Sequence, residues 1–380
     1  MIIIMTLKEK INASIILGSY LDTLGFYNGI WEFNFRSNMK INDLETGSYI
    51  NYEILSDFFS KGGFNIDISD WNSSDDTIMM IATIKACNKG GSQEHFIDEY
   101  LKIMPLLEEK KRLSGVATIN SLRILKKSRD PSKILYSSSM GGNGAAMRTH
   151  YIGIHFKDIK KIIDVSIMAS RLTHNYPLGF LSGMTIALFT HWAINDIEPW
   201  KWCTKLIELE ENGTIDKIIK ETADDIYDKY MIDKSEFWNV IYKYKEFRAS
   251  RFHLRTYEFR FGYDRLDDLF NVLYNKNSKE LVRFGGSGVS AVLIAYDSIL
   301  LSIIPKGSTE LTDEMDLNKP EKLLYSWQNL VFLSTLHFGD NDTIGAIAGM
   351  LFGALRGFDG VSNKILNMLE FKDEIKKLTH

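Results

Sequence analysis

An all-α fold is the architecture this chain predicts, and three observations predict it. Apolar residues recur three and four apart in several segments, the period of a helix with one buried face. Strict alternation of apolar and polar residues, the mark of strands, is scarce. The six prolines are far apart, so long helices go uninterrupted. In chain order the periodic segments are Ile78, Ile81, Ala82 and Ile84, then Ile215, Ile218 and Ile219. Ile344, Ile347, Ala348, Leu351, Phe352 and Leu355 follow, and Ile365, Leu366, Met368 and Leu369 end the series. Loops are expected where glycine, serine and proline gather, at 61–65, 129–147, 283–290 and 305–322. None of these has the character of a long linker, and no internal repeat is evident. The 380 residues are 45% hydrophobic, ample core for a single domain over 1–380, with the charged middle, about 205–280, as a candidate insertion or cap.

Composition removes several function classes. A formal charge of −4 leaves no global basic field for nucleic acid. Two cysteines, Cys87 and Cys203, cannot build a disulfide framework, so a reduced, cytoplasmic chain is expected. The opening apolar run is short and followed by Lys8, Glu9 and Lys10, unlike a signal peptide. No stretch approaches the roughly 18 uninterrupted apolar residues of a membrane span, so no membrane partner is expected. A monomer is expected.

The chemistry gathers at paired acids. In "WNSSDDTIMM", Asp75 and Asp76 precede a helical run, with Ser74 in front; in "GDNDTIGAIAG", Asp340 and Asp342 do the same, with Thr343 behind. Capping a helix accounts for one side-chain oxygen at each start. It leaves the second acid of each pair unexplained. Four carboxylates brought together repel unless cations sit among them, and an oxygen-only ligand set suits Mg²⁺ or Mn²⁺. Glu32, between Trp31 and Phe33, reads on pattern as a surface group on an amphipathic strand, with the wall of a site as the alternative. In "SSSMGGNGAAMR" Gly141, Gly142 and Gly144 let the backbone approach a ligand and offer amides to an anion, or form a plain turn; the spacing matches neither a Walker loop nor a dinucleotide fingerprint. His174, in "SRLTHNYP", is a pocket residue or a satisfied helix-end histidine. "RFGGSG" is a second glycine loop leading into an apolar helix.

Taken in order, "GFYNGIWEF" (25–33), "SDDTIM" (74–79), "GGNGAAMR" (141–148), "RLTH" (171–174), "GGSG" with "IAYD" (285–297) and "GDNDTIGAIAG" (339–349) resemble the ADP-ribosylglycohydrolase family, in particular its ADP-ribosylarginine hydrolase branch. The resemblance spans about 20 to 360. It implies a compact, orthogonal all-helical domain with a two-magnesium centre, Mn²⁺ being a substitute. Ser74, Asp75 and Asp76 would bind metal from one side, and Asp340, Asp342 and Thr343 from the other. Glu32, Asp75, Asp76 and Asp342 are the implied catalytic residues. Ser139, Gly141, Gly142, Asn143, Gly144 and His174 are implied on one rim of the substrate site, with Phe284, Gly285 and Gly286 opposite. The implied reaction is hydrolysis of the N-glycosidic bond between ADP-ribose and an arginine side chain, with an ADP-ribosylated protein as substrate and ADP-ribose as product. Two alternatives stay open: hydrolysis of O-linked ADP-ribose, as in ADP-ribosylserine or O-acetyl-ADP-ribose, and a non-catalytic ADP-ribose-binding module.

Four positions depart from the family pattern. Phe338 replaces a glycine before the metal loop and is expected to narrow the pocket or shift that loop. Leu21 stands where a glycine usually precedes Asp22. Val289 and Ser290 occupy the places of a His-Asp pair usual in the arginine branch, which weakens the expectation of guanidinium recognition.

Overall fold

The computed structural model describes residues 5–34, 41, 43–252, 261–274, 283–305, 323–362 and 364–379. Among them lie eighteen α-helices, several 3₁₀ turns and a two-stranded antiparallel ribbon pairing Ile303–Pro305 with Leu323–Tyr325. The expected all-α class is therefore observed. The periodic segments lie in the helices Asp75–Asn88, Thr214–Thr222 and Asn341–Arg356, and the last begins the short helix Ile365–Met368. The loop expected at 305–322 lies, beyond its first residue, outside the described residues.

The first helix, Leu7–Phe26, starts at a capping box: Glu9 N donates to Thr6 Oγ1 at 3.2 Å and Thr6 N to Glu9 Oε2 at 2.7 Å. Its principal neighbour is the Asn341–Arg356 helix. Glycines let the two axes come close. Gly345, Gly349 and Gly353 recur at four-residue intervals along one face, and their missing Cβ atoms make room for the backbone of Leu21, Leu17 and Ala13. Gly25 does the same at the far end, where a Cβ would lie 2.5 Å from Asn341 O. The start of the Asn341 helix is thus set against the end of the first. Leu21, the departure noted above, fits because Gly345 faces it.

The helix Pro177–Ile194 is apolar on nearly every side and buried, as a helix without a polar face must be. It has the length and apolarity to cross a membrane, but most of it lies inside the protein. Buried apolar residues form one continuous cluster that also takes in Leu206, Ile215, Phe237, Tyr244 and Leu266 from the charged middle. The helices Ser235–Phe252 and Tyr263–Leu273 are fastened by Asp297, of the "IAYD" motif. Tyr244 Oη donates to Asp297 Oδ1 at 2.8 Å and Arg248 Nε to the same oxygen at 2.6 Å. These helices wall a cleft of about 790 Å³ whose rims are the two glycine loops.

Candidate metal centre

The two helix starts meet. Glu32, Asp340 and Asp342 are buried and offer carboxylate oxygens within 4.8 Å of one another. Asp75 and Asp76 face the same centre. Asp340 is among the charges that raise the proton affinity of each, and Asp76 is among those that raise Asp342. Burial is the largest cause in every case. It pushes Asp75 up to about 7 and holds Glu32, Asp76 and Asp342 well above the usual carboxylate range; Asp340 is raised as well. Glu32 Oε2 and Asp76 Oδ2 are buried without a hydrogen-bond partner. Orphaned carboxylate oxygens in a donor set made only of oxygens fit a hard divalent cation.

The helix starts leave these acids free because other groups do the capping. Ser74 is the N-cap of the Asp75–Asn88 helix and accepts from Asp76 N at 3.1 Å. Asp22, fully buried in the first helix, accepts from Ser74 N at 3.2 Å and Thr77 N at 3.1 Å, and from the Thr77 hydroxyl. Burial raises Asp22 to about 6 against the pull of these donors. Asp75 is half-buried, and Gly115 N donates weakly to it at 3.4 Å. At the other start, Asp340 makes no side-chain cap, and Asp342 Oδ1 accepts from Thr343 N at 2.9 Å.

Asn143 ties the glycine loop to this centre. Its Nδ2 donates to Asp340 Oδ2 at 2.8 Å and to Gly285 O at 3.0 Å. The two glycine loops also meet directly, Gly288 N donating to Gly141 O at 3.0 Å. Ser139, Gly141, Gly142 and Gly286 line the cleft. The turn Asn143–Ala145 has no side-chain cap at Gly142, which instead bridges to Ser287 of the second glycine loop. Behind the loop, Arg148 donates to Gly144 O and, at 2.8 Å, to Thr173 Oγ1. His174 sits there too: a Cβ on Gly144 would lie 2.6 Å from its ring. Burial, with Arg148 nearby, lowers His174 to about 3, so it is neutral, and its Nδ1 pairs with Thr173 Oγ1 at 2.8 Å.

On the second rim, Gly285 has φ +85, a conformation that favours glycine, and a Cβ there would meet Ile344 at 2.5 Å. Its N–H donates to Tyr274 Oη at 2.9 Å. Phe284 is 2% exposed and acts through its carbonyl, which accepts from Asp340 N at 2.8 Å. Phe338 does not narrow the cleft. It is fully buried, fills the space that Gly47 leaves (a Cβ there would lie 2.6 Å from its ring), and accepts Phe284 at 5.5 Å between ring centroids. Its N–H donates to Asn51 Oδ1 at 2.9 Å, so it braces the loop that carries Asp340 and Asp342 from behind.

Two supports escaped the sequence reading. Asp22 is one, a single acid in the apolar run from Ala13 to Phe26. The other is Arg112, which is 2% exposed and donates to Ser73 O at 2.8 Å and to both oxygens of Glu370, at 2.6 and 2.8 Å. Glu370 Oε2 in turn accepts from Ser73 N at 2.9 Å. Arg112 is among the groups that hold Glu370 below its ordinary range, against burial. Since the folded value is the lower one, the stabilisation is present above the unfolded value of about 4.3 and fades as pH falls through the folded one. Glu370→Gln should therefore lower the melting temperature at pH 7, and the gap from wild type should narrow as pH falls below the unfolded value. A gap that persists undiminished in acid would assign Glu370 a packing role only.

Comparison with known proteins agrees with the motifs. The ADP-ribosylglycohydrolase pattern matches residues 5–380. The chain is 30% identical over 398 aligned residues to the ADP-ribosylhydrolase ARH1 of Dictyostelium discoideum, covering 98% of this chain and 93% of that protein. It is 31% identical to the protein named ADP-ribosyl glycohydrolase L444 in Acanthamoeba polyphaga mimivirus, covering 95% of this chain and 67% of the other. A shorter match, 26% over 57% of the chain, is to ADP-ribosylhydrolase ARH3 of Xenopus tropicalis. A solved ADP-ribosylglycohydrolase-related protein complex shares the fold, with a TM-score of 0.57 at 15% identity over 98% of this chain and 96% of the other.

Proposed function

The chain belongs to the ADP-ribosylglycohydrolase family, whose common chemistry is hydrolysis of ADP-ribosyl bonds, and from that premise we propose that it is a magnesium-dependent ADP-ribosylarginine hydrolase. The observation that carries the reading is the buried convergence of Glu32, Asp340 and Asp342 with Asp75 and Asp76 beside them. Ser74, Asp75 and Asp76 on one side, and Asp340, Asp342 and Thr343 on the other, would hold two divalent cations, which when bound neutralise the acids and polarise substrate hydroxyls and a water.

The chain's own groups do the rest. Glu32, its proton affinity raised by burial and neighbouring acids, is the base that takes a proton from the attacking water. The surrounding carboxylates stabilise the positive charge that develops at the anomeric carbon. The Gly142–Gly144 backbone anchors the diphosphate, and that remote binding positions the bond to be cleaved. The Asn143 link to Asp340 keeps anchor and centre in register. Arginine as the leaving group rests on the resemblance of "YNGIWEF". A second reading, an O-linked substrate, is favoured by Val289 and by Ser290, whose hydroxyl is engaged by Ser287 at 2.7 Å.

The test is release of ADP-ribose from ADP-ribosylated arginine with Mg²⁺ and with EDTA. Release that EDTA abolishes is expected. No release from arginine, with release from ADP-ribosylserine or O-acetyl-ADP-ribose, would move the assignment to the second reading. Binding of ADP-ribose without turnover of any of them would make the chain a binding module.

A further inference from the structure

We propose that Tyr27, Trp31, Trp71 and Asp57 form a seat for the guanidinium of the leaving group, an inference that rests on the arginine reading above. The segment carrying Glu32 divides around that residue. Phe33 lies against the second glycine loop, 3.4 Å from the place a Cβ on Gly286 would take. Trp31 goes instead to Tyr27 and Trp71. A glycosidic bond held at Glu32, with its ADP-ribose toward Gly286, carries its leaving group toward Trp31.

What waits there suits a flat cation. Tyr27 and Trp71 pack with centroids 4.1 Å apart and planes tilted by 32°, and Trp31 stands edge-on to Trp71 at 6.0 Å. Tyr27 and Trp71 are only half-buried. Trp31 Nε1 donates to Asp57 Oδ2 at 3.1 Å, which fixes a carboxylate beside the rings. The seat already takes a cation from within the chain. Lys61 Nζ lies 5.2 Å from the Tyr27 centroid and 3.2 Å from Asp57 Oδ1. A guanidinium answers both features better than an ammonium, because it stacks on a ring while its fork of N–H groups reaches a carboxylate. Lys61 is exposed on a flexible stem, so an incoming guanidinium displaces it. The carboxylate that the loop at Val289 and Ser290 does not offer comes here from Asp57.

The test titrates agmatine, a small guanidinium, into the protein held with saturating ADP-ribose, and reads binding by calorimetry. Wild type is expected to bind. Asp57→Asn should weaken agmatine about tenfold and Tyr27→Leu about threefold, with the Kd for ADP-ribose unchanged. Lys61→Met, a surface change that does not threaten folding, should tighten agmatine about twofold or more by removing the internal competitor. Absent agmatine binding in wild type, or equal binding in all variants, overturns the seat. Turnover separates this from the linkage reading. Agmatine binding that Asp57→Asn weakens, without cleavage of arginine-linked substrate, overturns the linkage and keeps the seat. Cleavage with the same KM in wild type and Asp57→Asn overturns the seat alone.

Discussion

Asp342→Asn should lower turnover of ADP-ribosylated substrate by about a thousandfold or more, and at the same time raise the melting temperature measured in EDTA. The two effects have one cause. Asp342 is buried beside Glu32, Asp340 and Asp76, whose charges oppose its own. Without a cation the folded chain concentrates like charges in a dry site, and neutralising one of them relieves that repulsion. Asparagine keeps the shape and keeps an oxygen to accept from Thr343 N, bonded at 2.9 Å in the parent, so the helix start stays intact. With Mg²⁺ present the order of stability should reverse if Asp342 is a ligand as proposed, because the variant has then lost a ligand charge. A variant that keeps activity, or that melts lower than wild type in EDTA, would make Asp342 a structural cap. Asp22→Asn is the control, with the opposite sign. Asp22 accepts from Ser74 N, Thr77 N and the Thr77 hydroxyl, and an amide nitrogen in place of one oxygen would face a donor. That change should destabilise by about 1–3 kcal/mol in EDTA.

The contrast between Asp342 and Asp22 also marks what the sequence shows and what it hides. The doubled acids at 75–76 and at 340 and 342 stand out because capping a helix explains only one of each pair. Helical class was readable for the same local reason, from apolar spacing within single segments. The cap that frees Asp75 and Asp76 was not readable, because Asp22 lies 52 residues from Ser74 and 55 from Thr77. The Arg112–Glu370 pair spans 258 residues and has no local signature at all. Phe338 looked like an obstruction, since its compensation, the empty side of Gly47, is visible only once the two segments pack together. Glu32 reads on pattern as a surface group, and burial to 8% exposure with Asp340 and Asp342 at hand resolves where it sits. Asn143 sits among glycines on one rim of the expected substrate site, and its side chain holds Asp340. In each case the sequence gives the residue's own chemistry and withholds the neighbour that decides how it is used.

Gly349→Ala should cost several degrees of melting temperature and most of the activity, although alanine is the better helix former by about 1 kcal/mol. At an unconstrained helical position that propensity would stabilise, so the sign of the change reports the helix crossing alone. A Cβ on Gly349 would enter the Leu17 carbonyl, and one on Gly353 the backbone at Ala13 and Ser14. Backbone in the middle of a helix cannot turn aside as a side chain does, so the axes must separate, at a penalty of about 1–3 kcal/mol or more. At Gly345 the nearest atoms are Thr335 Oγ1 at 2.9 Å and Leu21 O at 3.0 Å, a hydroxyl that can rotate and a looser backbone contact. Gly345→Ala should therefore be the mildest of the three in melting temperature. Activity should fall further than stability at Gly349, because the same helix carries Asp342 at its start, where a Cβ on Gly25 of the first helix would lie 2.5 Å from Asn341 O. Separating the axes moves Asp342 relative to Asp22, Ser74 and Asp76, whose positions belong to the other side of the crossing. Melting curves and turnover of the three alanine variants, each measured with Mg²⁺, check the order. A Gly349→Ala variant that melts higher than wild type would show that the two helices do not approach as closely as described, and the positioning of the acids would then have to come from the loops alone.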